Sequence, residues 1–325
     1  MNLKQVLYQV SKQGIKLWAE DSELKINAPK GSLTAEIRDA LLQNKSELVQ
    51  LLQGPKSNNL TANFIPLVPI SRSNCFTPSY QQERLWSVAQ LMPGQGTLNI
   101  SKSVRIQGVI NIPVLQASWN KIVSRHEILR TSFALVEGSL VQNVLPHLEV
   151  TISVEDYPGL SAAEIAAVIE ENFTQESRKY FDLSQAPLFD LKLLRCSDTD
   201  GVLFLIFHHI ITDGLSINLL IQELLSLYDT SLDQKQSPLT ELEIQYGDYA
   251  VWQRQWLQGE VLEKGLNYWQ KQLAGVSTLY PVPIDNFPLA PSFRSRQKTF
   301  EIPATTLSAI QKLSNQYSVT PVVIL

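Results

Sequence analysis

Apolar positions change their rhythm twice along the chain. Near the N-terminus Leu3, Val6, Leu7 and Val10 recur at helical spacing, and Gly14 follows as a stop signal. Ile15 and Leu17 then alternate with Lys16 and Trp18. Beyond Asp21-Ser22-Glu23, Leu24 and Ile26 alternate with Lys25 and Asn27. This predicts a β-hairpin with one buried face. Pro29-Lys30-Gly31 breaks the chain, and Ser32 or Thr34 is placed to cap a following helix. Ile37, Leu41 and Leu42, then Leu48, Leu51 and Leu52, stripe one or two short helices to about Gln53. The first module, residues 1–53, is therefore an αββαα unit. It buries little area on its own, so dimerising or docking to a larger body would support it. Residues 54–63, GPKSNNLTAN, have the composition of a linker.

From about Phe64 the pattern becomes that of one continuous α/β body. Helical periodicity runs over Tyr80–Leu91, Ile112–His126, Ala162–Phe173, Leu219–Tyr228 and Glu260–Leu273. Strand-like runs cover Ile100–Gln107, Thr131–Leu135, Leu188–Leu194, Val202–Phe207 and Lys298–Ile302. The final TPVVIL stops inside an apolar run without a helix stop signal, so a chain cut in mid-element is expected.

Composition narrows the function classes. The length of 325 residues predicts about two domains, and 44% hydrophobic residues exclude a disordered or fibrous chain. The charged fraction of 18% leaves more uncharged surface than average, which suits a protein with partners. The 27 Lys+Arg against 31 Asp+Glu give a formal charge of −4, with no basic excess to neutralise phosphates, so nucleic-acid binding is disfavoured. Cys75 and Cys196 stand far apart without a CxxC, giving neither a disulfide framework nor a zinc site. The N-terminus lacks the apolar core of a signal peptide, and Val202–Phe207 is far too short to span a membrane. A soluble, cytoplasmic protein without a membrane segment is expected.

Candidate chemistry concentrates where the apolar run Val202–Phe207 ends in His208-His209, followed by Ile210-Ile211-Thr212-Asp213-Gly214 and a helix. That helix is expected to stripe Leu215, Leu219, Leu220, Leu224 and Leu225. A strand end feeding a helix start is a favoured place for reactive groups. Alternation sends the two imidazoles to opposite sides, so only one faces a cleft. A neutral imidazole suits proton removal near neutral pH. Asp213 either fixes the turn or pairs with an Arg, and Arg130 is a candidate partner. Gly214 lets a substrate approach the backbone, and helix N-terminal N–H groups favour developing negative charge. A metal site is not indicated, since adjacent strand histidines do not share an ion and no HExxH is present. Neither a GxSxG elbow nor a GxxxxGK[ST] phosphate loop occurs. His126 and Glu127 read as scaffold, His147 as a loop residue, and Tyr246, Asp248 and Trp252 as packing groups.

FHHIITDGLS resembles the HHxxxDG motif of nonribosomal peptide synthetase condensation domains. Three further stretches carry the resemblance, in the family's order. Ser79-Tyr80-Gln81-Gln82-Glu83-Arg84-Leu85-Trp86 is similar to SxAQxRLW, with Gln81 in place of Ala. Arg125 to Phe133 matches RHExLRTxF, and Tyr246 to Trp252 matches YxDYAVW. Separately, GIKLWAEDSELKINAPKG and the two following helices resemble the tubulysin-synthetase type of N-terminal docking domain.

The resemblance implies a chloramphenicol-acetyltransferase-like α/β fold. Its N-terminal lobe would cover residues 64–245, with the lobe connection and the start of a truncated second lobe in 246–325. His209 would act in a tunnel, with His208, Asp213 and Gly214 in the same motif and Arg130, Ser79 and Arg84 supporting. Donor and acceptor carrier proteins would bring phosphopantetheine-linked thioesters, and the domain itself would bind no cofactor. HHIITDG argues against heterocyclisation, whose enzymes carry an Asp-rich motif instead. With most of the second lobe absent, little turnover is expected of this chain alone. Lys16, Trp18 and Lys25 would contact the C-terminal tail of an upstream synthetase subunit, and a homodimer through the docking module is possible. Two other classes fit the residues: a non-catalytic docking or scaffold fragment, and a stand-alone CoA-dependent acyltransferase.

Overall fold

The structure is a computed structural model, and it describes residues 6–7, 9–10, 13, 15–20, 23–53, 67–72, 75–92, 94, 96–233, 235–276 and 300–325. Two compact units divide the chain, Met1–Val276 and Ser277–Leu325. Gly14, Asp21-Ser22 and the linker expected over 54–63 lie outside the described residues.

The N-terminal segment has the expected order. Residues 6, 7, 9 and 10 are helical. Strands β1 (Lys16–Glu20) and β2 (Glu23–Asn27) form an antiparallel hairpin with Leu17 opposite Ile26 and Ala19 opposite Leu24. Helices α1 (Ala35–Gln43) and α2 (Lys45–Gln53) follow. Thr34 is the cap of α1, its Oγ1 accepting the Ile37 N–H at 3.3 Å, while the Ser32 hydroxyl turns back to the Pro29 carbonyl at 2.8 Å. Val6, Val10, Ile15, Leu17, Ile37, Ala40, Leu41 and Leu48 make one core. The hairpin buries less of β2 than alternation predicts: Ile26 is exposed, as is Leu42 on α1.

The rest of the first unit is built on two sheets. A four-stranded sheet runs β4 (Asn99–Gln107), β9 (Asp200–His208), β8 (Phe189–Ser197), β7 (Ser153–Asp156). Every pairing is antiparallel except the parallel β7–β8. A smaller sheet joins β3 (Cys75–Phe76), β6 (Ser139–Val144) and β5 (Thr131–Val136). The two-residue turn between β5 and β6 holds Glu137 and Gly138 both at positive φ, the geometry a tight hairpin needs.

Strand β9 is the spine. It is buried from Gly201 to His208, which is why it reads as an unbroken apolar run. Its faces separate by parity. Phe207 meets Trp119 of helix α4 (Ile112–Arg125) at 6.2 Å between ring centres, and Phe204 meets Phe173 of helix α5 (Ala162–Glu176) at 6.1 Å. Helix α6 (Gly214–Leu232) packs on α4 and buries Ile217, Leu220, Glu223, Leu224 and Leu227. It starts at Gly214, where the end of the HHIITDG turn placed it, ahead of the clear periodicity over Leu219–Tyr228. Leu220 and Leu224 belong to its buried stripe, but Leu215, Leu219 and Leu225 are exposed.

Helix α3 (Tyr80–Leu91) spans the expected residues. YGDYAVW lies in helix α7 (Tyr246–Trp256), and helix α8 (Gly259–Gln272) follows. Asp248 anchors α7. It is fully buried, receives Arg72 at 2.5 and 3.0 Å, and accepts the Ile70 and Gln245 backbone N–H groups at 2.9 and 2.7 Å. In the second unit the described elements are helix α9 (Ala304–Tyr317) and the single turn α10 (Pro321–Ile324). Phe300–Ile302 are not a strand, contrary to the sequence pattern, and residues 298–299 lie outside the described residues. Among the described residues no helix is long and apolar enough to cross a membrane.

Candidate active site

The chain leaves β9 through a tight turn that treats its two histidines differently. The His208 N–H donates to the Leu188 carbonyl at 2.9 Å and the His209 N–H to the Leu98 carbonyl at 2.8 Å, which carries the strand pairing one residue past β9. His208 has the parity of Phe204 and is buried. Its Nδ1 accepts the Ile210 N–H at 3.1 Å, so the neutral ring carries its proton on Nε2. Burial, and secondarily the neighbouring His209, push its pKa from 6.5 down to about 4. His209 has the opposite parity and lines a cleft. Its Nδ1 lies 2.8 Å from the Thr212 carbonyl oxygen. A carbonyl only accepts, so Nδ1 carries the hydrogen, and in the neutral ring Nε2 keeps the lone pair.

Asp213 and Gly214 open helix α6. The Asp213 carboxylate accepts the Ser216 hydroxyl at 2.7 Å and the Ser216 N–H at 2.8 Å, and these bonds hold its pKa below the ordinary carboxylate value. The expected pairing with Arg130 is not formed. Arg130 donates to the Leu145 carbonyl and approaches Glu127 at 3.8 Å. Asp213 is thus a cap, and its charge is satisfied within its own helix turn. A Cβ built on Gly214 meets nothing within 4 Å. Neither packing nor backbone angle demands glycine there, and the space beside it is open.

The cleft has a volume of about 420 Å³. One wall is the turn from His209 to Asp213, continued by Ser216, Leu219 and Leu220 of α6. Gln81, Gln82 and Leu85 of α3 form a second, His126, Ile128 and Leu129 a third, and Tyr246 of α7 completes it. Ser79 does not line the cleft but ties two walls together. It caps α3 in a capping box with Gln82, and its hydroxyl lies 3.0 Å from that of Tyr246. Burial raises the pKa of the Tyr246 phenol. Arg84 does not join them: it is exposed on α3, outside the cleft lining.

Sequence alone reads two cleft residues only as scaffold or packing. His126 lines the cleft, with Nε2 2.6 Å from Glu223, a buried carboxylate that Arg125 approaches at 3.3 Å. Tyr246 is the other. On the hairpin, Lys25 pairs with Glu23 at 2.9 Å, and the side chains of Lys16 and Trp18 lie outside what the structure describes.

The family model described as the condensation domain matches residues 75–325. This chain belongs to the condensation-domain family. A second model, the TubC N-terminal docking domain, matches residues 3–54. Relatives of this condensation domain include malpinin synthetase of Mortierella alpina, 34% identical over 260 residues, 80% of this chain and 3% of the relative. Phosphinothricin tripeptide synthetase PhsC of Streptomyces viridochromogenes is 32% identical over 244 residues, 75% of this chain and 22% of its own. The chain therefore spans a small fraction of these relatives' length. Among solved structures, the cyclization-docking bidomain of EpoB from Sorangium cellulosum has a TM-score of 0.63 at 21% identity, covering 99% of this chain and 63% of that one. The X-domain from teicoplanin biosynthesis has a TM-score of 0.63 at 22% identity, covering 78% and 56%. The fold is the chloramphenicol-acetyltransferase-like one the motifs implied. Neighbours with such different names share it, so the chemistry must be argued from the cleft.

Proposed function

We propose that this condensation domain joins an acyl or peptidyl thioester to the amine of an aminoacyl thioester, each delivered on the phosphopantetheine arm of a carrier protein. The observation that supports this reading is His209, lining the cleft with Nδ1 held by Thr212 and Nε2 left as a hydrogen-bond acceptor. The amine nitrogen attacks the thioester carbonyl and its proton passes to His209 Nε2. The tetrahedral species then expels sulfur, which recovers the proton as the thiol, and the N–C bond replaces the S–C bond. Aligning two tethered reactants supplies up to about 7–11 kcal/mol, and positioned proton transfer a further factor of about 10²–10⁴. Asp213 holds the turn through its Ser216 bonds, and the Gly214 N–H, the first of helix α6, would steady the oxyanion. Arg130 and Ser79 act at a distance, by fixing the loops and helices that form the walls.

The test is His209→Ala in a two-lobed protein carrying this segment, supplied with loaded donor and acceptor carriers. We expect amide formation to fall by about 10²-fold or more, and by more than in His208→Ala. Undiminished product would defeat the assignment and favour the scaffold reading. Product from free CoA thioesters without carriers would favour a stand-alone acyltransferase.

Residues 3–54 would dock the upstream synthetase subunit, in the cytoplasm where such assembly lines work. Among the described residues the hairpin has only two strands, so each keeps an edge able to take an extended peptide as a third strand. Lys16, Lys25 and Lys30 would select an acidic tail, with Trp18 at the contact, and pairing of two such modules is the other use of that edge. Titrating upstream tail peptides against the chain checks this, and the absence of saturable binding to any of them counts against it.

A further inference from the structure

The lining of the cleft facing His209 includes a buried donor that the proposed reaction leaves unused. Gln82 is the third residue of α3, is 1% exposed, and lines the cleft. Its Oε1 accepts the Ser79 N–H at 2.9 Å, while its own backbone N–H donates to the Ser79 hydroxyl at 3.2 Å. An amide NH2 cannot accept an N–H, so this reciprocal pair fixes the end-for-end orientation of the side chain: oxygen to Ser79, nitrogen away from it. That nitrogen, Nε2, is buried and has no hydrogen-bond partner among the described residues. Buried donors left unmade are costly and uncommon, and on a residue that lines a cleft such a donor is within a side-chain adjustment of what the cleft binds.

The chemistry of the acceptor follows from what else faces the same space. His209 Nε2 offers a lone pair in the same cleft, which suits an N–H group of an attacking amine. A neutral amide donor suits the other reactant, whose exposed acceptor is a carbonyl oxygen.

We infer that Gln82 Nε2 donates a hydrogen bond to the carbonyl oxygen of the acyl thioester bound in the cleft, so that Gln82 is a substrate-contacting residue that sets the face of the carbonyl presented to the amine. The inference rests on the condensation reading of the cleft. The capping box then has two uses: it starts α3, and it pre-orients the donor before the substrate arrives, so that little is lost in ordering it on binding.

Isotope-labelled protein is titrated with an S-acyl-N-acetylcysteamine, a soluble stand-in for the end of an acylated phosphopantetheine arm, and followed by NMR. The Gln82 side-chain NH2 pair is assigned by its loss in Gln82→Glu. Glutamate keeps an oxygen for the Ser79 N–H and so keeps the cap, but it replaces the donor by an acceptor. The thioester is expected to shift the Gln82 NH2 pair and the His209 ring signals together. Gln82→Glu, compared at a temperature where it remains folded because burying its carboxylate lowers stability, is expected to weaken thioester binding about tenfold and to leave binding of the S-alkyl thioether, which has no carbonyl, as in the wild type. If the His209 signals move while the Gln82 pair stays still, the assignment of Gln82 falls and the reading of the cleft survives. If neither moves up to the solubility limit, both fall. Equal weakening for thioester and thioether would reduce Gln82 to a structural residue and also overturn the inference.

Discussion

His208 should make the strand that carries the site labile to acid, and the size of the effect follows from its surroundings. The ring is buried, with its Nδ1 receiving the Ile210 N–H, so protonation must place a charge in the core and break that bond. Its pKa falls from the ordinary 6.5 to about 4, first through burial and then through the neighbouring imidazole. Above 6.5 both folded and unfolded forms are neutral, and the residue adds no pH dependence. Between about 6.5 and 4 the unfolded chain binds the proton and the folded one does not, so stability falls as pH falls, by ~1.36 kcal/mol per pH unit. Across the window the loss is about 3 kcal/mol, and below about 4 it levels off. Asn is the matched substitution, because its Oδ1 stands near the place of Nδ1 and accepts the same N–H without titrating. Native-state hydrogen exchange of the β9 amides, in wild type and His208→Asn between pH 4 and 7, reads the opening free energy of that strand directly. We expect the wild type to lose about 3 kcal/mol more than the variant. Parallel curves for the two proteins, or an NMR titration of His208 with a midpoint above about 6, would refute the burial argument.

Gly214→Ala tests whether the open space beside the helix start belongs to a ligand. The new Cβ meets nothing in the protein. Stability should therefore hold or rise by up to about 1 kcal/mol, measured by thermal melting. Amide formation should fall tenfold or more if reacting groups pass there, and unchanged turnover would remove Gly214 from the site. Arg72→Ala should destabilise by about 2 kcal/mol in urea, because it strips the cation from buried Asp248. The figure is set below that for a fully buried pair because the Arg72 side chain is 40% exposed. Asp248 would be expected to rise in pKa from burial, but Arg72 and the Gln245 and Ile70 N–H bonds outweigh this and hold it below 3.8. The stability it adds is therefore complete above that value and is lost as pH falls through the lower, folded pKa. Wild type and Asp248→Asn should accordingly converge only in strong acid.

What the sequence disclosed depended on how local the cause was. Strand β9 is an unbroken apolar run because helices cover the sheet, and in β8 enough apolar positions flank Asp190, Lys192 and Arg195 for the pattern to place that strand as well. Strand β6 escaped because Gln142, buried and donating to the Thr77 carbonyl, interrupts its apolar series, although Glu137-Gly138 before it is a turn signal. Helix α6 is leucine-rich all round, so periodicity picked Leu215, Leu219 and Leu225. The buried stripe instead includes Glu223, whose burial depends on Arg125 and His126 from outside that helix. Helix α7 was hidden for the same reason: Asp248, read as a packing group, interrupts the apolar pattern, and its burial depends on Arg72, 176 positions away.

The site shows the same division, and it supports placing the proposed chemistry on one imidazole. The turn His208 to Gly214 is contiguous, so its residues and the opposite parity of its histidines are legible by counting. The remaining walls come from α3, the segment after α4, and α7, and no spacing rule joins Gln82, His126 and Tyr246. Once joined, they sort the polar groups. His208 is neutral and bonded within its own turn, Asp213 is satisfied by Ser216, and His126 Nε2 is committed to Glu223. Tyr246 is engaged with Ser79. Among the described residues, His209 Nε2 is left as an acceptor and Gln82 Nε2 as a buried donor, beside the exposed amide of Gln81, on different walls of one cleft. An amide-forming step needs that complementarity, because the amine must give up a proton while the carbonyl oxygen gains negative charge, and a single residue cannot serve both ends.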